Sequence, residues 1–126
     1  MTAFHQVQLR PEAGAVLTKA TLRAADQLQL TARTLAAIIG ISEATVSRMK
    51  RGSFSLEPGT KPFELAVLFV RLFRSLDALV GGDAHIAASW LSNPNSALDA
   101  KPIEKAQTVS GLFDVIAYLD ARRALV

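Results

Sequence analysis

An all-α fold is what this sequence predicts, with a helix-turn-helix unit near the N-terminus and a second helical unit behind it. Three observations predict it. Residues 31–52, TARTLAAIIGISEATVSRMKRG, read as two short helices hinged at Gly40. Elsewhere apolar residues recur three and four apart, and no segment shows the alternation a half-buried strand needs. Half of the residues are hydrophobic but only 6% are aromatic, an aliphatic-rich composition that suits helix packing. At 126 residues the chain suits one compact domain, or two small ones sharing a core. The division expected is 1–61 and 62–126.

Residues 1–10 are read as a loosely ordered segment or an arm. The segment 11–28 reads as a helix begun by Pro11, because proline lacks the N–H that a first turn leaves unpaired. Val16, Leu17, Ala20, Ala24 and Leu28 form its apolar stripe. Thr31 can cap the next helix and Ser42 the one after it, each by accepting a bond from an early backbone N–H. Gly40 supplies the unusual backbone angles of a tight inter-helix turn. Leu35, Ala36, Ile38 and Ile39 give the first of these helices an apolar side, and Ala36 keeps the crossing close. Val46 and Met49 are three apart, so one face pins the second helix to the core.

The remaining positions of that second helix then point outward. Ser42, Glu43, Ala44, Thr45, Ser47, Arg48, Lys50 and Arg51 form a candidate DNA-reading surface. An arginine such as Arg48 can pair bidentately with guanine, which gives about 1–3 kcal/mol of discrimination. Lys50 and Arg51, near the helix end, suit phosphate contacts that set register. Glu43 can accept from a cytosine amine or reject wrong sequences. The competing reading is a charged face that only faces water. Agreement of caps, glycine and core spacing favours DNA.

Residues 52–61, GSFSLEPGTK, read as a loop with a Pro58-Gly59 turn. Pro62 starts a long helix to about Val80, with apolar residues on more than one face. A helix apolar nearly all round must be covered nearly all round, and a second subunit is a natural cover, so a homodimer is expected. The run LAVLFV at 65–70 is flanked by Glu64, Arg71, Arg74 and Asp77, so it reads as a buried helix and not a membrane span. Gly81-Gly82 ends it, and Asp83 can cap a helix over about 84–91. Residues 92–103 are turn-rich, with a short helical piece expected around Ser96 to Leu98. A last helix or helix pair covers about 104–123, on Leu112, Val115, Ile116 and Leu119.

Charge is unevenly spread. Residues 1–61 carry eight Lys/Arg against four Asp/Glu, whereas 62–126 carry six against seven, so the net +3 resides in the first half. That half faces a polyanion, and the second does something else. The absence of cysteine excludes a disulfide framework and a thiolate metal site. MTAFHQVQLRPEAG lacks the basic-then-apolar order of a secretion signal, and a cytoplasmic protein is expected. His5 and His85 have no metal-ligand spacing, no glycine-rich phosphate loop is present, and no nucleophile motif is found. No catalytic residue, metal or cofactor is therefore expected.

The stretch Trp90-Leu91-Ser92-Asn93-Pro94-Asn95-Ser96-Ala97-Leu98 is followed by Lys101-Pro102-Ile103-Glu104 and then Thr108 and Gly111. With the long apolar helix, this order resembles the toxin-binding region of the Xre/MbcA/ParS antitoxins. The N-terminal half resembles that family's Xre-like helix-turn-helix, and together the likeness covers roughly 15–126. Many relatives carry Gly-Gly after the Ala-Leu, where Asp99-Ala100 stands here. Val109-Ser110 replaces acidic residues common before the late glycine, and many relatives run a little beyond Arg122-Arg123.

The resemblance implies a type II antitoxin that binds a protein toxin and represses its own operon through the helix-turn-helix. The partner it implies is a RES-domain toxin that consumes NAD⁺, or a related ADP-ribosyltransferase-like toxin. The implied mechanism is steric, with the C-terminal segment covering the NAD⁺ entrance. Asp114, Tyr118, Asp120, Arg122, Arg123 and the terminal carboxylate of Val126 are the candidates there. Acids could pair with phosphate-holding cations, and arginines with a catalytic carboxylate. Taken singly, these residues have other readings. Trp90 is a core anchor, Asn93, Pro94 and Asn95 are turn formers, Tyr118 is a core residue, and Arg122-Arg123 offset a helix dipole. The alternative for the whole chain is a stand-alone repressor whose C-terminal half only dimerises or senses a ligand.

Overall fold

The computed structural model describes residues 2–124, with side chains from residue 12 to residue 124. The described chain is helical, in the order α1 (Thr2–Gln27), α2 (Ala32–Ile39), α3 (Glu43–Lys50), α4 (Lys61–Leu79), α5 (Ala84–Ser92), α6 (Pro102–Lys105) and α7 (Val109–Ala124). The fold is thus all-α, a helix-turn-helix followed by a helical C-terminal part. No helix among the described residues is long and apolar enough to cross a membrane.

The expected caps form. Thr31 accepts from the Thr34 amide at 3.1 Å, Ser42 from Thr45 at 3.0 Å, and Asp83 from Ile86 at 3.1 Å. Gly40 ends α2 at φ 74°, in the left-handed region, and its N–H returns to the Ala36 carbonyl. At α4 the cap is Thr60, and Pro62 lies inside the first turn.

Two expectations for the N-terminal helix are corrected. α1 begins at Thr2, not at Pro11. The residues before the proline are mostly good helix formers with no glycine among them, so the helix crosses Pro11 at the cost of one main-chain bond. Its inward face is also rotated from the expected stripe. Ala24 and Leu28 are buried, but Val16 is 67% exposed, and Thr18 and Thr21 are buried instead. Thr18 meets its polar requirement in the core: its hydroxyl donates to the Gly14 carbonyl and accepts from the Leu56 amide. That bond docks the 51–60 loop on α1. Gly14 permits the approach, since a Cβ there would overlap the Leu56 carbonyl.

One hydrophobic cluster joins both halves, and α4 runs through it. Ala66, Phe69, Leu72 and Leu76 are buried, and α4 packs against α1, α2 and α7. Leu112, Val115, Ile116 and Leu119 of α7 are buried against it, as their spacing predicts. The chain's own helices therefore cover most of α4. The uncovered part is a groove of about 730 Å³ along α1 and α4, where Val16 and Val67 (45% exposed) meet Phe63 and Val70, and which ends at the charged side chains of Arg71, Arg74 and, from α7, Asp120 and Arg123.

The Ser96–Leu98 helical piece does not form. Residues 96–99 are a turn closed by an Asn95–Ala100 bridge, in which the Asn95 amide donates to the Ala100 carbonyl at 3.0 Å. The Asn95 side chain accepts from the Leu98 amide, so the local bond wins over a helical turn. Asp99 sits there at φ 57°.

Candidate functional site

The candidate recognition surface is built on α3. Val46 and Met49 are buried, at 0% and 2% exposure, and fix the helix against α2 and the core. Ser42, Glu43, Ala44, Arg48, Lys50 and Arg51 are exposed, while Thr45 and Ser47 are half-buried. All eight expected residues thus lie on α3 or at its two caps. Three of them are linked to one another. The Ser42 and Thr45 hydroxyls lie 2.9 Å apart, and the Arg48 guanidinium donates to Thr45 Oγ1 at 3.0 Å. Glu43 in the first turn, and Arg48 and Lys50 in the last, also complement the helix dipole.

The C-terminal candidates separate onto two edges of α7, flanking its buried stripe. On one edge, Tyr118 stacks on Trp90 with ring centroids 6.1 Å apart, and the Arg122 guanidinium lies 5.8 Å over the Tyr118 ring. Asp114 precedes Tyr118 by one turn and pairs with Lys105 at 3.4 Å. Trp90 and Tyr118 are half-buried, so each packs on the core with one face and remains accessible with the other. Ile86, one turn before Trp90 on α5, is 51% exposed. Between this helix and the Asn93-Pro94-Asn95 turn lies a shallow pocket of about 330 Å³.

On the other edge, Asp120 and Arg123 are engaged within the chain. Arg71 of α4 donates to Asp120 at 2.6 Å, Ser75 donates to its second oxygen at 3.0 Å, and Arg123 donates to the Ser75 hydroxyl at 3.2 Å. Burial raises the Asp120 carboxyl, but the Ser75 bond, the Arg71 bond and the charges of Arg71 and Arg123 outweigh it, so the group ionises below its ordinary value. This edge therefore clamps α7 to α4. Val126 lies outside the described residues.

Sequence reading missed Val109 and Phe113, which are 57% and 51% exposed on α7. They are four apart and share a stripe with Asp120. Their residue types signal core, and only the packing shows that they face outward. It also missed Phe54, whose ring lies 5.8 Å beneath the Arg48 guanidinium. No signal in the sequence connects those two.

The late glycine has a steric reason. A Cβ on Gly111 would overlap the Lys105 carbonyl, because α7 starts directly beside the end of α6. Thr108 caps α7 by accepting from the Gly111 amide at 3.1 Å.

Family models match both halves of the chain. The antitoxin Xre-like helix-turn-helix domain matches residues 7–71, and the antitoxin Xre/MbcA/ParS C-terminal toxin-binding domain matches residues 75–124. Comparison with individual curated proteins gives no match. With its helix-turn-helix at α2–α3 and the toxin-binding helices behind it, the chain belongs to the Xre/MbcA/ParS antitoxins and is an antitoxin of a toxin–antitoxin system.

Proposed function

We propose that the chain neutralises a RES-type, NAD⁺-consuming toxin by laying its C-terminal segment over the toxin's active site, and that it represses its own operon through α3. The observation that carries the toxin half is the Trp90–Tyr118–Arg122 stack, an aromatic surface ending in a cation near the helix C-terminus. Trp, Tyr and Arg are the residue types that dominate binding energy at protein interfaces. Arg122 is exposed and makes no ion pair among the described residues, so its guanidinium is free to meet a carboxylate of the toxin. Asp114 and Tyr118 flank it on the same edge. Asp120 and Arg123 act by holding α7 on α4. Functionally, residues 1–61 serve DNA and 62–126 serve the toxin and dimerisation, with α1 of the first unit completing the dimer face on α4.

The homodimer rests on the uncovered groove along α1 and α4, where Val16 and Val67 leave apolar surface in water. Two copies would present two α3 helices to paired half-sites.

The test of toxin binding is co-expression with the protein encoded by the neighbouring reading frame. The wild-type chain should co-purify with it and restore growth. Arg122→Glu with Tyr118→Ala should lose both while remaining folded by circular dichroism. Rescue by that double variant would remove the stack from the mechanism.

A further inference from the structure

Phe54 lies outside α3, in the loop that returns from it. Its ring is half-buried against the core and carries the Arg48 guanidinium on its outer face, 5.8 Å from the centroid. The same guanidinium donates to Thr45 Oγ1 at 3.0 Å, and that oxygen lies 2.9 Å from Ser42 Oγ. The loop is fastened to α3 at the same residue: the Ser53 amide and hydroxyl both donate to the Arg48 carbonyl, at 2.9 and 3.2 Å. Arg48 is thus held by a ring, by a hydroxyl and through its own backbone.

We infer that Phe54 is a positioning residue for operator recognition, holding the Arg48 guanidinium in one pose before DNA arrives. The inference rests on α3 being the DNA-reading helix. A free arginine surrenders rotamer entropy when it docks, and a side chain already held surrenders less. Orientation matters most for base reading. A guanine edge accepts the guanidinium fork in one plane, whereas a phosphate accepts it from many directions. Losing Phe54 should therefore weaken binding to the preferred sequence and leave non-specific binding unchanged. A cation over an exposed aromatic face corresponds to about a two- to fivefold effect.

The experiment begins with a duplex selected from a random-sequence pool by the full-length wild-type chain, compared with a scrambled duplex of the same composition over a salt series. Phe54→Leu keeps the apolar packing and removes the ring, while Phe54→Tyr keeps the ring. Phe54→Leu should lower affinity for the selected duplex about two- to fivefold, with the scrambled duplex and the salt slope unchanged, and Phe54→Tyr should bind as wild type. On an Arg48→Ala background, Phe54→Leu should add nothing. A second measurement uses the wild-type chain alone, so it does not depend on how the variants fold. The Arg48 Nε–H resonance of the free protein should show an upfield ring-current shift that the exposed Arg33 lacks. The inference is overturned if Phe54→Leu binds the selected duplex as wild type, if it weakens binding equally on the Arg48→Ala background, or if the Arg48 resonance is unshifted. If no sequence is enriched, or if Arg48→Ala binds as wild type, the DNA reading of α3 falls and this inference falls with it.

Discussion

Two residues show how local backbone geometry constrains this fold. Gly111 occupies the point where α7 leaves the Lys105 carbonyl, with no room for a Cβ. Gly111→Ala should destabilise by about 1–3 kcal/mol in chemical denaturation, the usual cost of forcing an extra carbon into packed structure. Asp99 illustrates the reverse case. It holds φ 57°, which an L side chain adopts at some cost and glycine adopts freely. Glycine suits this position for that reason. Asp99→Gly should raise the unfolding free energy by about 0.5–1 kcal/mol, read from the denaturation midpoint at unchanged slope. A lower midpoint would mean that the Asp99 side chain contributes something other than backbone strain. Capping at Thr31, Ser42 and Asp83 was legible because a cap bond spans only three residues. The ring beneath Arg48 was not, since the geometry of a returning loop leaves no pattern in composition or spacing.

Among the elements, the pairing of α4 with α7 decides how the C-terminal half holds together. Its polar clamp unites Arg71, Ser75, Asp120 and Arg123 across more than forty residues of chain. Helical periodicity places each of these residues on a helix face but cannot state which faces meet, so the clamp was not legible. The α1 stripe holds at Leu17, Ala24 and Leu28 but missed Thr18 and Thr21 for a related reason. Buried Thr18 and Thr21 count as polar in any pattern, and Thr18 is tolerated inside because its hydroxyl donates to the Gly14 carbonyl and accepts from the Leu56 amide. The clamp has a pH signature. The Asp120 carboxyl is depressed in the folded chain, so its stabilisation is fully present above the ordinary aspartate value of about 3.9. It is lost as pH falls through the lower folded value. Asp120→Asn should cost about 1 kcal/mol or less near neutrality, given the exposure of the pair, and that difference from wild type should shrink as pH falls below about 4. A difference that stays constant from pH 7 to pH 3 would show that the charge plays no part.

For the whole molecule, one core serves two binding faces. α4 packs against α1, α2 and α7, so removing the last helix would strip cover from α4 and unsettle the helix-turn-helix half as well. Truncation after Gly111 is therefore expected to unfold the chain, and surface substitutions are the proper way to separate toxin binding from folding. At the other face, Arg48→Ala should lower binding to a selected duplex, and Lys50→Ala should weaken all sequences alike. Each lost phosphate contact should reduce the salt slope by about one. The helix order and the helix-turn-helix were legible because they rest on short-range signals. The groove along α1 and α4 was not, because it depends on which side of α4 the other helices leave uncovered.

The most direct measurement is NAD⁺ consumption by the purified product of the neighbouring reading frame, titrated with the purified chain. Excess wild-type chain should stop consumption, and the Arg122→Glu, Tyr118→Ala variant should leave it running. Consumption that continues unchanged with excess wild-type chain would contradict the account.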